Sequence, residues 1–323
     1  MAAPALQADG LHKSYPGAKG HQPVRALDGL GFAVPRGTVF GLLGPNGAGK
    51  STTVKILATL TAADDGTALV DGIDVARRPG AVRRRIGLVS QRPSSDPKAT
   101  GRENLVLAAR LHGLSRQDAT TRAAALLGRF DLTEAADRLV RTWSGGMSRK
   151  LDVAIGLVHR PAVLFLDEPT TGLDPEARAE LWAEIGRLTR DDHTTVLLTT
   201  HYLDEADRLA DALAIVDHGQ VRVEGTPEQL KSELRGDAIV VELARSADAA
   251  RSADRLGTIP GVSEVTVDDR SLRARADQGP RAVPVVLAAL DEIGVAVCSA
   301  TVARPSLDDV YLRHVGRTFE AVA

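Results

Sequence analysis

Residues 44–51, Gly-Pro-Asn-Gly-Ala-Gly-Lys-Ser, constrain this chain more than any other stretch. Before them, Val39-Phe40-Gly41-Leu42-Leu43 is a short apolar run fit for a buried strand. After them, Ser51 to Leu60 is helical in pattern. Strand, glycine-rich loop and helix in that order form a phosphate cradle: the glycines let backbone N–H groups curl around the anion, and the helix start adds positive potential. In such a cradle Lys50 reaches the β- and γ-phosphates and Ser51 ligates Mg²⁺. Nucleotide chemistry on an α/β scaffold is therefore the first expectation.

A second stretch completes that site. Val163-Leu164-Phe165-Leu166 reads as a buried strand that ends in Asp167 and Glu168. Asp167 is placed to hold the metal and Glu168 to face the attacking water as general base. Two solvated acids after a strand are common, so the pair gains its meaning from the loop at 44–51. Ser144-Gly145-Gly146 precedes a helical stretch from Ser148 to Val158 and offers another anion site at a helix start, although capping is the usual role of a serine there.

The runs Ala162–Leu166 and Thr195–Thr200 are apolar or β-branched on both faces, as a parallel sheet covered by helices requires. Ala5 to Lys13 and Gly31 to Val34 read as strands, with a polar loop from Tyr15 through Pro23. Residues 92–142 are predicted to be a mostly helical insertion, with helices at Glu103–Leu114 and Arg116–Phe130, the second opened by a Ser115–Asp118 capping pair. Ala214–Val216 and Gln220–Glu224 read as a hairpin around His218-Gly219. Residues 238–304 then give strand, helix, strand, strand, helix, strand, the order of a ferredoxin-like unit.

Composition narrows the class. Of 323 residues, 40 are Lys or Arg and 42 Asp or Glu, a net charge of −2 that argues against a nucleic-acid role driven by bulk charge. One cysteine, Cys298, precludes an internal disulfide and reads as a buried strand residue. No apolar run approaches the ~18 residues of a membrane span, and the N-terminus does not read as a signal peptide. A cytosolic protein is expected. Trp182 reads as core and Arg83-Arg84-Arg85 as a solvated helix end.

In this order the motifs resemble those of the nucleotide-binding subunits of ABC transporters over residues 5 to about 230. Gly44, Pro45, Asn46, Gly47, Ala48, Gly49, Lys50 and Ser51 match the Walker A motif, with Thr52 following, and Gln91 matches the Q-loop. Ser144-Gly145-Gly146-Met147 match the signature motif, and Val163–Asp167 match Walker B. Glu168 is similar to the catalytic glutamate, Thr171-Gly172-Leu173-Asp174 to the D-loop and His201 to the switch histidine. Gly101–Leu105 and Ser306–Leu312 resemble stretches of the drug-export branch, that of the DrrA-type subunits.

The resemblance implies a P-loop NTPase fold: a parallel core sheet, an antiparallel β subdomain and a helical subdomain at about 92–142. The cassette would occupy 1–235, and a C-terminal accessory domain with a final helix 236–323. It implies ATP and Mg²⁺ as ligands, the metal on Ser51, Gln91 and Asp167. Tyr15 would stack on adenine, with plain surface packing open as an alternative. Gln91, Glu168 and His201 would serve hydrolysis, His201 being otherwise a polar strand cap. Ser144, Gly145, Gly146 and Asp174 would engage the nucleotide of a second subunit. The implied partners are an integral membrane permease and a second copy, with no nucleic acid, on the inner face of the membrane. An importer ATPase and a soluble ABC ATPase acting on ribosomes or DNA stay open as alternatives. Trp143 stands where leucine is usual, and Arg92–Ser95 depart from the usual stretch after the Q-loop glutamine.

Overall fold

The computed structural model describes residues 3–17, 22–234 and 236–316. The loop expected after Tyr15 lies partly outside these residues, and the chain end after Gly316 wholly so. The described residues form two compact units that divide between Pro227 and Glu228, upstream of the 235/236 boundary expected from the sequence.

The first unit opens with β1 (Leu6–Tyr15), β2 (Val24–Val34) and β3 (Val39–Leu43), followed by α1 (Lys50–Leu57). Then come β4 (Asp65–Val70), β5 (Ile73–Asp74), α2 (Pro79–Arg83) and β6 (Ile86–Val89). Three helices follow: α3 (Gly101–Leu111), α4 (Arg116–Arg129) and α5 (Gly145–Gly156). The unit closes with β7 (Val163–Asp167), α6 (Pro175–Arg190), β8 (Thr195–Thr200), α7 (Leu203–Leu209), β9 (Ala212–Asp217) and β10 (Gln220–Gly225).

The central sheet runs β10-β9-β3-β8-β7-β6, with every pairing parallel except β10 on β9. Its five parallel strands are mostly buried and apolar or β-branched because each face has its own cover, whereas the edge strand β10 is partly exposed and polar at Gln220, Arg222 and Glu224. Phe40, Leu42, Phe165 and Leu197 point to one face and pack with α1 and the antiparallel sheet. Leu164, Leu166, Val196 and Leu198 point to the other and pack with α4, α5 and α6. The antiparallel sheet runs β2-β1-β4-β5. Its second strand begins at Val24, seven residues before the expected Gly31, because the alternation of Val24–Leu30 is broken by register shifts against β1.

Within 92–142 two helices form: α3 starts two residues before the expected Glu103 and ends at Leu111 rather than Leu114, and α4 ends at Arg129, one residue before the expected Phe130. Ser115 Oγ accepts the Asp118 N–H at 3.1 Å, capping α4, and Thr100 with Glu103 forms a full capping box on α3. Arg83, Arg84 and Arg85 are exposed.

Helix α8 (Pro227–Ser232) begins at the last residue of the first unit, and the second unit goes on with β11 (Asp237–Leu243), α9 (Ala249–Gly257), β12 (Val262–Asp268), β13 (Ser271–Ala276), α10 (Gly279–Glu292), β14 (Val297–Ala303) and α11 (Leu307–Val315). The sheet order is β12-β13-β11-β14, entirely antiparallel, which is ferredoxin-like connectivity. Ile239, Val241 and Leu243 of β11 and Leu272, Ala274 and Ala276 of β13 meet Leu256, Val286 and Leu290 of the two helices that cover one face. Cys298 is exposed, contrary to expectation: β14 is an edge strand paired only with β11, and most of its residues face solvent.

Candidate functional site

The central strand β3 is buried along its whole length and hands the chain to the loop at Gly44–Gly49. Gly44 leaves the strand so close to β9 that a Cβ there would stand 2.2 Å from the Val216 carbonyl oxygen. Gly49 sits at φ 109, a left-handed turn that swings the chain into α1. Asn46 and Gly47 form the exposed crest of the loop, while Lys50 at the first turn of α1 is only 4% exposed. Its Nζ donates to the carbonyls of Gly44 at 2.6 Å and Pro45 at 3.1 Å. Burial pulls the Lys50 ammonium below the ordinary lysine pKa, against the opposing pull of Glu168 and Asp167.

The strand next but one, β7, delivers Asp167 beside that loop. Ser51 Oγ donates to Asp167 Oδ1 at 3.1 Å, and Thr199 Oγ1 on the intervening strand β8 donates to the same oxygen at 2.6 Å. A hydroxyl and a carboxylate meeting in this way are the hard oxygen donors that a small divalent cation requires.

Glu168, directly after Asp167, adopts φ 49, unusual for a residue with a side chain. Its N–H is held by the carbonyl and the hydroxyl of Thr199, both at 3.1 Å. The carboxylate is thereby turned toward three candidate partners. Gln91 Nε2 donates to Glu168 Oε2 at 3.3 Å. His201 Nδ1 stands 3.1 Å from Oε1, close but without hydrogen-bond alignment, and Lys50 Nζ stands 3.9 Å from the same oxygen. Lys50, Ser51, Gln91, Asp167, Glu168 and His201 thus converge although they span residues 50 to 201.

The other candidates lie apart. Ser144 caps α5, its Oγ accepting the Met147 N–H at 3.2 Å. Asp174 caps α6, its Oδ1 accepting the Ala177 N–H at 2.9 Å. These two helix starts touch, since a Cβ on Gly146 would stand 2.8 Å from Ala177 Cβ. Among the described residues no hydrogen bond or ion pair joins Ser144, Gly145, Gly146 or Asp174 to the Lys50 cluster. Tyr15 ends β1 opposite Val24 of β2, and β2 reaches the Gly49 turn at Ala26 and Leu27. Its ring lies 5.7 Å from Lys13 Nζ.

Several contributors escape sequence reasoning. Thr199 orients both acids from β8, the strand between β3 and β7. Arg149 of α5 bonds the backbone on both sides of the Gln91–Glu168 contact. Glu205 on α7 accepts from Thr170 Oγ1 at 2.8 Å and from Trp182 Nε1 at 3.0 Å, tying the segment after His201 to the residue preceding the D-loop and to α6. Burial pushes the Glu205 carboxyl above the usual carboxylate range. Of these, only Trp182 carried a sequence signal, its helical spacing, and it is buried as expected.

Comparison with known proteins places this geometry. The ABC transporter family profile matches residues 27–171, and that of the ATP-binding protein DrrA1-3-like C-terminal domain matches residues 225–315. The chain is 48% identical to the daunorubicin resistance ATP-binding protein DrrA3 of Streptomyces coeruleorubidus, over 98% of this chain and 97% of the relative. It is 47% identical to the daunorubicin/doxorubicin resistance ATP-binding protein DrrA of Streptomyces peucetius, over 97% and 92%. Among solved structures, cbiO1 from Clostridium perfringens, part of the ABC transporter complex cbiONQ, aligns with a TM-score of 0.65 and 26% identity over 72% of this chain and 92% of that one. Nearly half identity to these relatives over almost the full length of both chains, with the ABC transporter profile followed by that of the DrrA-type C-terminal domain, makes this chain a member of the ABC transporter family, an ATP-hydrolysing nucleotide-binding subunit of the DrrA type.

Proposed function

We propose that this ATPase powers the export of a drug, antibiotic or other hydrophobic compound through a separate membrane permease. The observation that carries the reading of the site is the meeting of Gln91, His201 and Lys50 at the Glu168 carboxylate, one residue beyond an Asp167 already bonded to Ser51. Glu168 Oε1 or Oε2 accepts a proton from the attacking water, and Gln91 orients that water. Lys50 shifts from the loop carbonyls to the β- and γ-phosphates, and His201 holds the γ-phosphate. Ser51 and Asp167, with Gln91, hold Mg²⁺, which when bound neutralises charge on the phosphate oxygens. Tyr15 stacks on adenine beside the loop.

Ser144, Gly145, Gly146 and Asp174 stand apart from this cluster, which suits a head-to-tail dimer in which they close over the ATP of the other copy. On α3 of the helical subdomain, Leu107 is 58% and Leu111 79% exposed, one turn apart, an apolar pair that suits the permease face. No helix among the described residues is long and apolar enough to cross a membrane. The drug class follows the names of the relatives. The subunit would work at the inner face of the membrane, held there by the permease, and the C-terminal domain would be an accessory or regulatory module.

Glu168→Gln tests the site. The variant is expected to bind ATP, to lose turnover by about 10²–10⁴ as removal of a general base does, and to accumulate dimers in ATP. Turnover at the parent rate overturns the assignment. Co-purification with a membrane protein of several spanning helices tests the exporter reading.

A further inference from the structure

Arg149 lies on α5, five residues after the signature serine, and is 8% exposed. Its guanidinium bonds four backbone carbonyls on two loops. Nη1 donates to Ser90 at 2.7 Å, Nε to Pro169 at 2.7 Å, and Nη2 to Asp167 and Glu168, each at 3.3 Å. One turn further along, Asp152, 2% exposed, accepts the N–H groups of Ser94 at 2.9 Å and Ser95 at 3.0 Å. The loop carrying Gln91 is therefore gripped on both sides from one helix face, and the turn carrying Glu168 is gripped by the same guanidinium.

That turn needs holding. Glu168 sits in the left-handed region, a conformation that survives only where its surroundings over-determine it. Three successive carbonyls, of Asp167, Glu168 and Pro169, converge and repel one another unless a donor gathers them. A planar guanidinium with five N–H groups in a fixed fork can bond several oxygens at once, whereas an ammonium on a flexible stem holds no such geometry.

We infer that Arg149, seconded by Asp152, is a positioning residue for hydrolysis: it fixes the Gln91 loop against the Glu168 turn and fastens both to the signature helix. The pair sets the separation of the Gln91 amide and the Glu168 carboxylate, and it makes the signature helix move with them. This rests on Glu168 being the base.

The test uses the full chain with Arg149→Lys, Arg149→Gln and Asp152→Ala, measuring thermal midpoint, ATP Kd, KM and kcat. Arg149→Lys is expected to fold and to bind ATP within about threefold of the parent, while kcat falls about 10- to 100-fold with KM little changed, the loss that ångström-scale misplacement brings. Arg149→Gln should lose more, and Asp152→Ala should lower kcat without moving Kd. A folded Arg149→Lys that keeps parental kcat overturns the inference, as does a rise of Kd in parallel with the fall of kcat. If neither Arg149 variant folds, Asp152→Ala decides by the same split, and unfolding of all three overturns positioning in favour of a purely structural role. Glu168→Gln separates the two readings: turnover retained there removes the base itself, whereas turnover retained only in Arg149→Lys removes the positioning role alone.

Discussion

The hydroxyl of Thr199 donates to Oδ1 of Asp167 at 2.6 Å while its oxygen accepts the Glu168 N–H at 3.1 Å. One buried side chain on β8 thus sets the direction of two successive acids on β7. Replacement by valine keeps the shape and removes both bonds. Thr199→Val is expected to destabilise the protein by about 1–3 kcal/mol, the usual consequence of stripping a buried group of its partner. ATP turnover should fall as well, because Asp167 and Glu168 gain rotational freedom. Chemical denaturation with steady-state hydrolysis checks both; an unchanged kcat would show that the acids are oriented without Thr199.

Lys50 is the other fixed point. With Nζ on the carbonyls of Gly44 and Pro45, a nearly buried cation sits folded back on its own loop. Triphosphate would offer it a better partner than two carbonyls, so part of the ATP affinity is expected to come from the Lys50 ammonium. At ATP near 100 times Kd the parent should gain about 2.7 kcal/mol of stability by linkage. Lys50→Met should lose most of that gain at the same ATP concentration. Thermal unfolding with and without nucleotide reads the difference, and a full shift in the variant would exclude Lys50 from phosphate binding.

The legible part of this molecule is the part where chemistry dictates residue type. Gly44, Gly49, Lys50, Asp167 and Glu168 declare themselves because few other residues can cradle phosphate or hold a metal at those places. The parallel sheet is equally readable, since strands such as Leu164–Leu166 and Thr195–Leu198 must satisfy two covers. Arg149 was invisible for the opposite reason: it bonds backbone carbonyls, and any sequence presents carbonyls. Thr199 hides within a β-branched run whose spacing suits a strand with or without a site. Cys298 misled because an apolar run does not say which strand lies at the sheet edge; that depends on the pairing of β14 with β11 alone.

His159 and His112 stack in parallel with ring centroids 3.8 Å apart. Burial, then the neighbouring His112, lowers the His159 pKa from the usual 6.5 to about 4, partly countered by the Ile86 carbonyl at 2.9 Å, while Arg122 adds to the lowering. The folded state therefore binds fewer protons than the unfolded chain between those values. Stability contributed by neutral His159 is complete above about pH 6.5 and is lost as pH falls toward about 4, by about 2 kcal/mol after solvent screening of a half-buried ring. His159→Gln keeps a donor for Ile86 and removes the titration. Denaturation at pH 7 and pH 5 should show a smaller loss in the variant than in the parent; equal losses would place the proton elsewhere.

Trp143, the residue before the signature serine, lies against the first turn of α3. A Cβ on Gly101 would stand 2.3 Å from Trp143 Cη2 and 2.6 Å from Cζ2, so the indole occupies the space a side chain would need. Its buried Nε1 has no hydrogen-bond partner among the described residues, so packing rather than polarity accounts for its seat. Gly101→Ala is then expected to cost about 1–3 kcal/mol by overpacking in the parent. In a Trp143→Leu background the obstruction is gone, and alanine exceeds glycine within a helix by up to ~1 kcal/mol. The substitution should turn neutral or stabilising there, giving a coupling of about 1–4 kcal/mol in a double-mutant cycle. Additive effects would mean that the tryptophan does not fill the place of a side chain on α3, and the glycine would need another explanation.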